Sequence, residues 1–258
     1  MSMQQMLLTS GERLLTVDSA DFDGTNDYMT RTTLVGAADS KSGILSYWVR
    51  IDSNVDFARA LVINTAANAI RFISFTRGTI AGGGDVDGQI GIWGRNSAGT
   101  QILKIGTASA PSASATWLHF LASWDLAAST ARVYLNDVQD ETITTLTDDL
   151  VDYTVDGPAV GAGPTGGLKL NGVLAEVYFA LGQYLDFSIV SNRRKFLSAG
   201  GKPVFLGADG SLPTGTAPII YQHLDDGEAV ANFATNRGTG GDFTITGTLD
   251  TGSTSPSD

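Results

Sequence analysis

Apolar and polar residues alternate with a period of two along most of this chain, the spacing of partly buried β-strands. In Ile44–Ile51, Leu45, Tyr47, Val49 and Ile51 share one face. Ile44, Ser46, Trp48 and Arg50 share the other face, which is half apolar and predicts partial cover there too. Leu118, Phe120, Ala122 and Trp124 line one face of Trp117–Asp125. Ala131, Val133 and Leu135 repeat the pattern, with Arg132, Tyr134 and Asn136 opposite. Val173, Ala175, Val177 and Phe179 alternate with Leu174, Glu176 and Tyr178. Arg13–Val17, Tyr28–Arg31, Ala60–Asn64, Ile70–Thr76, Gln89–Trp93, Gln101–Ile105, Ile219–Leu224 and Phe243–Leu249 are further strand candidates. Tight-turn signals punctuate them: the Asp-, Gly- and Asn-rich stretch Asp21–Met29, Asn136-Asp137 and Asn171-Gly172. The pattern predicts an all-β chain, a two-sheet antiparallel sandwich.

One short helix is predicted in the C-terminal third. Ser188 would cap it, Ile189, Asn192, Arg193, Phe196 and Leu197 have helical spacing, and Gly200-Gly201 would stop it. Arg193, Arg194 and Lys195 admit two readings, charges complementing the helix dipole or a patch for an acidic partner. Asp250–Asp258, built of Ser, Thr, Gly, Pro and Asp, is expected to be a loose tail.

Composition narrows the function classes. With 258 residues the chain can bury a sizeable core, and 16 basic against 27 acidic side chains give a net charge of −11. Such a surface repels phosphate backbones, so no nucleic-acid partner is expected. The absence of cysteine excludes disulfides, thiolate metal sites and cysteine nucleophiles. His119 and His223 are far apart in sequence and are read as packed or surface imidazoles. Met1–Thr9 lacks Lys and Arg, and the charge-free stretch Ile105–Trp124 is too rich in Ser, Thr, Ala, Pro and Gly to span a bilayer. These features predict a chain folded in a cytosol, with no membrane partner.

Several motifs in order resemble one superfamily. Phe22-Asp23-Gly24-Thr25-Asn26-Asp27-Tyr28, Ser46-Tyr47-Trp48-Val49, and Trp117-Leu118-His119-Phe120 running into Trp124-Asp125 are similar to the concanavalin A-like lectin/glucanase superfamily. Within it the laminin-G and pentraxin-like jelly rolls are nearest, with Leu135-Asn136-Asp137 and Asn171-Gly172-Val173-Leu174-Ala175-Glu176-Val177 as further matches. The resemblance covers roughly residues 20–182 and implies a jelly-roll sandwich. Gly182-Gln183-Tyr184-Leu185-Asp186, Asn192–Phe196, Gly200–Gly207 and Gly210–Pro218 resemble the tail of laminin-G-like proteins in tailed-bacteriophage structural modules.

A glucanase would need two carboxylates about 5–5.5 Å apart for a retaining mechanism, at alternate strand positions. Glu12, Glu141, Glu176 and Glu228 are not spaced to pair on a strand face, and Asp85 and Asp87 fall in a glycine loop. No Gly-x-Ser-x-Gly elbow occurs, and Gly161–Gly166 matches a dinucleotide fingerprint without the following helix. The chain is therefore read as non-enzymatic. By resemblance, calcium is the implied cofactor, with Asp85, Asp87, Asp125 and Asn136 as candidate ligands; ordinary solvated turn residues are the alternative. Trp93, at a hairpin end beside Gly94, is the candidate sugar platform, while Trp48, Trp117 and Trp124 are assigned to the core.

Residues 1–19 are assigned to an N-terminal arm and first strand, 20–185 to the sandwich, and 186–258 to an extension. The resemblance implies a virion structural protein, a capsid decoration or a tail, baseplate or fibre component. Its partners would be other virion proteins and further copies of itself, docked through Met1–Leu8 and Phe187–Asp258. A lectin binding host-surface glycans is the second reading.

Overall fold

Sixteen strands form among the described residues of the computed structural model, which are 16–64, 70–80 and 88–258. In chain order they are β1 (Ala20–Asp23), β2 (Tyr28–Thr30), β3 (Ser42–Ile51), β4 (Arg59–Asn64), β5 (Ile70–Gly78), β6 (Gln89–Arg95), β7 (Gln101–Gly106) and β8 (Leu118–Asp125). Then follow β9 (Thr130–Leu135), β10 (Val138–Gln139), β11 (Thr142–Leu146), β12 (Ala159–Val160), β13 (Asn171–Leu181), β14 (Ile220–Gln222), β15 (Thr244–Thr246) and β16 (Asp250–Thr251). A single helical turn, α1, spans Val190–Arg193, and a 3-10 turn spans Val230–Ala234. The arm Met1–Leu8 and most of the predicted strand Arg13–Val17 lie outside the described residues.

The strands make two antiparallel sheets. The front sheet runs β10-β9-β8-β3-β13-β1-β16, with β14 also paired to β13; the back sheet runs β11-β7-β6-β5-β4-β12-β2-β15. Between them lies the main core, where the predicted inward rows meet: Leu45, Tyr47, Val49 and Ile51, then Phe120, Ala122 and Trp124, then Ala131 and Val133. Phe72 of the back sheet stacks on Trp124 at 5.9 Å and on Phe179 at 4.8 Å. A Cβ on Gly43 would sit 2.3 Å from the Trp124 ring, so a glycine is needed for that ring to lie flat on β3.

The outward face of the front sheet is covered as well. Ile44, Trp48, Leu121, Tyr134, Ala175, Tyr178 and, on β14, Tyr221 pack under Phe187, Phe196, Leu197, Val204 and Leu206. This explains the half-apolar outer row of β3: the C-terminal third forms a third layer over it. Arg193, only 8% exposed, clamps that layer. Its Nε donates to Asp137 Oδ1 at 2.6 Å, its Nη1 donates to the Phe187 carbonyl at 2.6 Å, and its guanidinium lies 4.4 Å from the Tyr134 ring centroid. Arg194 donates to the other Asp137 oxygen, and Lys195 to the Pro213 carbonyl. Arg193 and Arg194 are thus spent on holding this layer, while Lys195 is exposed and tied only to the Pro213 carbonyl.

Four expectations need correction. The helix is one turn, not the span from Ser188 to Gly200: Ile189 occupies the N-cap with no side-chain cap bond, and the Ser188 amide donates to Asp186 Oδ1. Beyond Arg194 the chain leaves the helix and buries Phe196 and Leu197 against the front sheet. Asn171-Gly172 opens β13 instead of making a hairpin turn; a Cβ on Gly172 would sit 2.3 Å from the Arg50 carbonyl, so this glycine permits close strand approach. The alternation of β13 inverts at Glu176, which adopts φ 52° in a bulge between Ala175 and Tyr178. Leu174 therefore shares the interior face with Val177 and Phe179, while Ala175 and Tyr178 face the third layer. The bulge falls where the neighbour of β13 changes from β1, paired at Leu174, to β14, paired at Val177.

The tail is not loose. β16 pairs with β1, Ser19 Oγ donates to the Thr254 carbonyl at 2.9 Å, and Val17 N–H donates to Ser257 Oγ at 3.1 Å. Arg50 Nη1 reaches Thr254 Oγ1 at 2.8 Å and Ser253 Oγ at 3.1 Å. Polar composition here supplies hydrogen bonds to the sheet edge, which a compositional reading takes for disorder.

Candidate functional site

Asp85 and Asp87 lie outside the described residues. Asp125 Oδ1 accepts the amides of Ala127 and Ala128 at 3.0 and 3.3 Å, closing the turn after β8. Asn136, with φ 50°, accepts the His119 amide on Oδ1 at 2.7 Å, and its own amide donates back to the His119 carbonyl. Asn136 is thus level with His119, six residues of β8 from Asp125, a separation of about 20 Å at the strand rise. These two cannot share a calcium ion. Among the described residues, no three His, Asp or Glu side chains are grouped to hold a metal.

Trp93 sits half-buried on the outer face of the back sheet. Phe57 lies 5.6 Å and Phe75 5.3 Å from its ring, and Lys104 Nζ stands 5.5 Å from its centroid. Its Nε1–H is buried without an acceptor among the described residues.

A second aromatic group lies on the outer face of the front sheet, mostly buried there. Trp48 of β3 and His119 of β8 are cross-strand partners whose rings stack at 4.6 Å. Burial drives the His119 pKa down to about 3, with Asp137 opposing, so its imidazole is neutral; its Nε2 lies 2.8 Å from Ser46 Oγ. His119 therefore packs and orients Trp48. Beside them is an open cavity of about 350 Å³. Trp48, Trp117 and Asn136 form its sandwich side, Leu197 and Lys202 come from the third layer, and Pro256 and Asp258 from the tail. Trp117 Nε1 donates to Thr254 Oγ1 at 3.1 Å, which fixes the indole and ties the tail to it.

The cavity combines aromatic surface with hydrogen-bonding groups from three segments, the composition of a small-ligand site. The Asn136 Oδ1 is committed to His119, which leaves its Nδ2 hydrogens to the cavity. Next to it, Asp137 is kept ionised: burial opposes its charge, but Arg194 and Arg193 outweigh that and lower its pKa. Of the candidate residues read from sequence that the structure describes, only Asn136 lines this cavity. Trp48 and Trp117, assigned to the core, line it too, and Lys202 and Asp258 were not singled out. The half-apolar outer row of β3 was the signal that pointed here.

A second polar cluster lies where the bulge turns Glu176 outward. Glu176 and His223 are 3% and 1% exposed and meet in a short contact between Oε1 and Nδ1. Tyr221 donates to Glu176 Oε2 at 3.0 Å, and His223 Nε2 lies 3.0 Å from Asp225 Oδ1. Arg237 bridges Asp225 and Glu228. Burial disfavours the imidazolium, but the bonds and charges of Glu176 and Asp225 prevail, and the His223 pKa is raised.

Comparison with known proteins agrees with this architecture. A family model described as the concanavalin A-like lectin/glucanases superfamily, of the laminin-G type, matches residues 23–180. No curated protein matches the chain in sequence. A candidate carbohydrate binding protein from Bacteroides ovatus superposes with a TM-score of 0.63 at 14% identity, over 93% of this chain and 60% of that one. This chain thus spans less than two thirds of that protein. The heptameric SAP-like pentraxin of Limulus polyphemus superposes with a TM-score of 0.54 at 12% identity, over 92% of this chain and 94% of that one.

Proposed function

The chain belongs to the concanavalin A-like lectin/glucanase superfamily, and on that footing we propose that it is a carbohydrate-binding module acting without catalysis. The ligand is taken in the Trp48–Trp117 cavity. The observation that carries this reading is a fixed, half-buried indole at Trp117 beside unpaired donors in an open cavity. A pyranose has apolar C–H faces and hydroxyl edges, so it suits a site that pairs an aromatic wall with polar groups. The similarity of the fold to a candidate carbohydrate binding protein agrees with it.

The test is a glycan array followed by titration of the strongest hit. Trp117→Ala is expected to weaken binding at least about tenfold, as loss of a central aromatic anchor does. It should lower the melting temperature by no more than about 4 °C, since the ring is only half-buried. Retained binding in Trp117→Ala with loss in Trp93→Ala would move the site to the back sheet. Release of reducing ends from polysaccharides would overturn the non-catalytic reading.

We further place the module on a tailed-bacteriophage particle, as a decoration or a tail, baseplate or fibre component associating with itself and with other virion proteins. Support comes from the resemblance of Gly182–Asp186, Asn192–Phe196 and Gly200–Gly207 to phage structural modules. Co-purification with intact particles at stoichiometric amounts is expected. Its absence from purified particles would refute this placement and leave the sugar site standing.

A further inference from the structure

We propose that the cavity selects sugars bearing a carboxylate, uronic or sialic acids, over their neutral counterparts, and that Lys202 makes the selection. This rests on the carbohydrate reading above. Three donor groups on the cavity wall have no protein partner among the described residues. The Trp48 indole N–H has no acceptor among the described residues, although the residue is 4% exposed and lines the cavity. Asn136 has only its Nδ2 hydrogens left to give. Lys202 is half-buried in the same wall, and its Nζ makes no ion pair or hydrogen bond among the described residues. All three are donors, and one is a cation.

The acceptor side holds the Thr116 hydroxyl and one carboxylate, Asp258. Asp258 is exposed, and one of its oxygens already accepts the Ser255 amide at 2.7 Å. Asp137, next to Asn136 in the chain, is neutralised by Arg193 and Arg194 and does not compete for Lys202. A neutral sugar offers hydroxyls that want donors and acceptors in equal measure. A carboxylate is acceptor-only, so it satisfies a half-buried ammonium and two N–H groups without leaving any of its own protons unpaired. The net charge of −11 repels anions at long range, which makes the local cation the decisive group.

The experiment is a tryptophan-fluorescence titration of the full chain with matched probes. The pairs are methyl glucuronoside against methyl glucoside, methyl galacturonoside against methyl galactoside, and N-acetylneuraminate against its C1 amide. At least one acid is expected to bind about tenfold or more tighter than its neutral partner. The gap should shrink between about 50 and 300 mM salt. It should vanish in Lys202→Gln and persist in Lys202→Arg. Equal affinities within every pair, or a gap that survives Lys202→Gln, would overturn the proposal while sugar binding itself stands. No binding by any of these sugars together with a silent glycan array would overturn both.

Discussion

Arg193→Ala is expected to destabilise the chain by about 3 kcal/mol and to abolish sugar binding together with it. The guanidinium holds Asp137 and the Phe187 carbonyl at 2.6 Å each and packs over Tyr134. Hydrogen bonds to charged groups contribute about 1.5–3 kcal/mol each, and a partly desolvated cation–π contact roughly another 1. Asp137 is about a quarter exposed and keeps Arg194, which moderates the loss. On a chain of this size the change corresponds to about 6–12 °C in melting temperature. Sugar binding should fail because Leu197 and Lys202 follow Arg193 directly into the cavity wall. Arg193→Lys keeps the charge but loses the fork, and an intermediate result is expected. Thermal melts paired with titration would show it. A variant that melts like the parent would mean that the third layer is held by apolar packing alone.

Glu176→Gln is expected to lower stability by about 3 kcal/mol at pH 6 and by clearly less at pH 8.5. It removes one member of a buried ion pair while keeping its shape. The groups facing His223 are Glu176 from β13, Tyr221 stacked at 5.5 Å, Asp225, and beyond them Arg237 and Glu228. His223 has a raised folded pKa, so its contribution is complete below the unfolded value of about 6.5 and is lost as pH rises through the folded value. Asp225 has a lowered folded pKa, so its smaller contribution is present above about 3.9 and is lost as pH falls through the folded value. The parent should therefore be most stable between these limits and weaken on the alkaline side. In Glu176→Gln the imidazole gains little from protonation, and the alkaline slope should flatten. Chemical denaturation at pH 5, 6, 7 and 8.5 reads this out; parallel parent and mutant curves would show that the pair is not charged.

The Arg193 clamp acts on the layer that local sequence shows least. Period-two alternation placed Leu45, Tyr47 and Val49, and likewise Phe120 and Trp124, on the faces they occupy, because an inward row must be apolar over its whole length. The Asn136-Asp137 turn was equally legible, since both residues take the left-handed conformation that such a turn demands. Alternation failed at β13 because a bulge adds one residue without leaving a compositional trace: Glu176 looks like any outward polar residue. The helix reads longer in sequence than it is because Phe196 and Leu197 have helical spacing yet serve the front sheet from an irregular segment. The Ser- and Thr-rich tail reads as loose in sequence because its partners, Val17, Ser19 and Arg50, lie more than two hundred residues away.

The cavity was hidden for the same reason. Its walls come from Trp48, Trp117, Asn136, Lys202 and Asp258, which no local window contains. An exposed aromatic next to a glycine favoured Trp93, but Phe57 and Lys104 flank that ring. What sequence did offer was the mixed outer row Ile44, Ser46, Trp48 and Arg50, which had to be covered by something.

The most direct measurement is a nitrogen-15 titration that follows the four indole N–H resonances as the strongest array hit is added. Trp48 and Trp117 line the cavity, while Trp124 is sealed in the core and Trp93 lies on the opposite sheet. The Trp48 and Trp117 signals are expected to move together to saturation while Trp93 and Trp124 stay in place. Movement of Trp93 alone, or four unmoved signals at saturating sugar, would rule out a sugar site between Trp48 and Trp117.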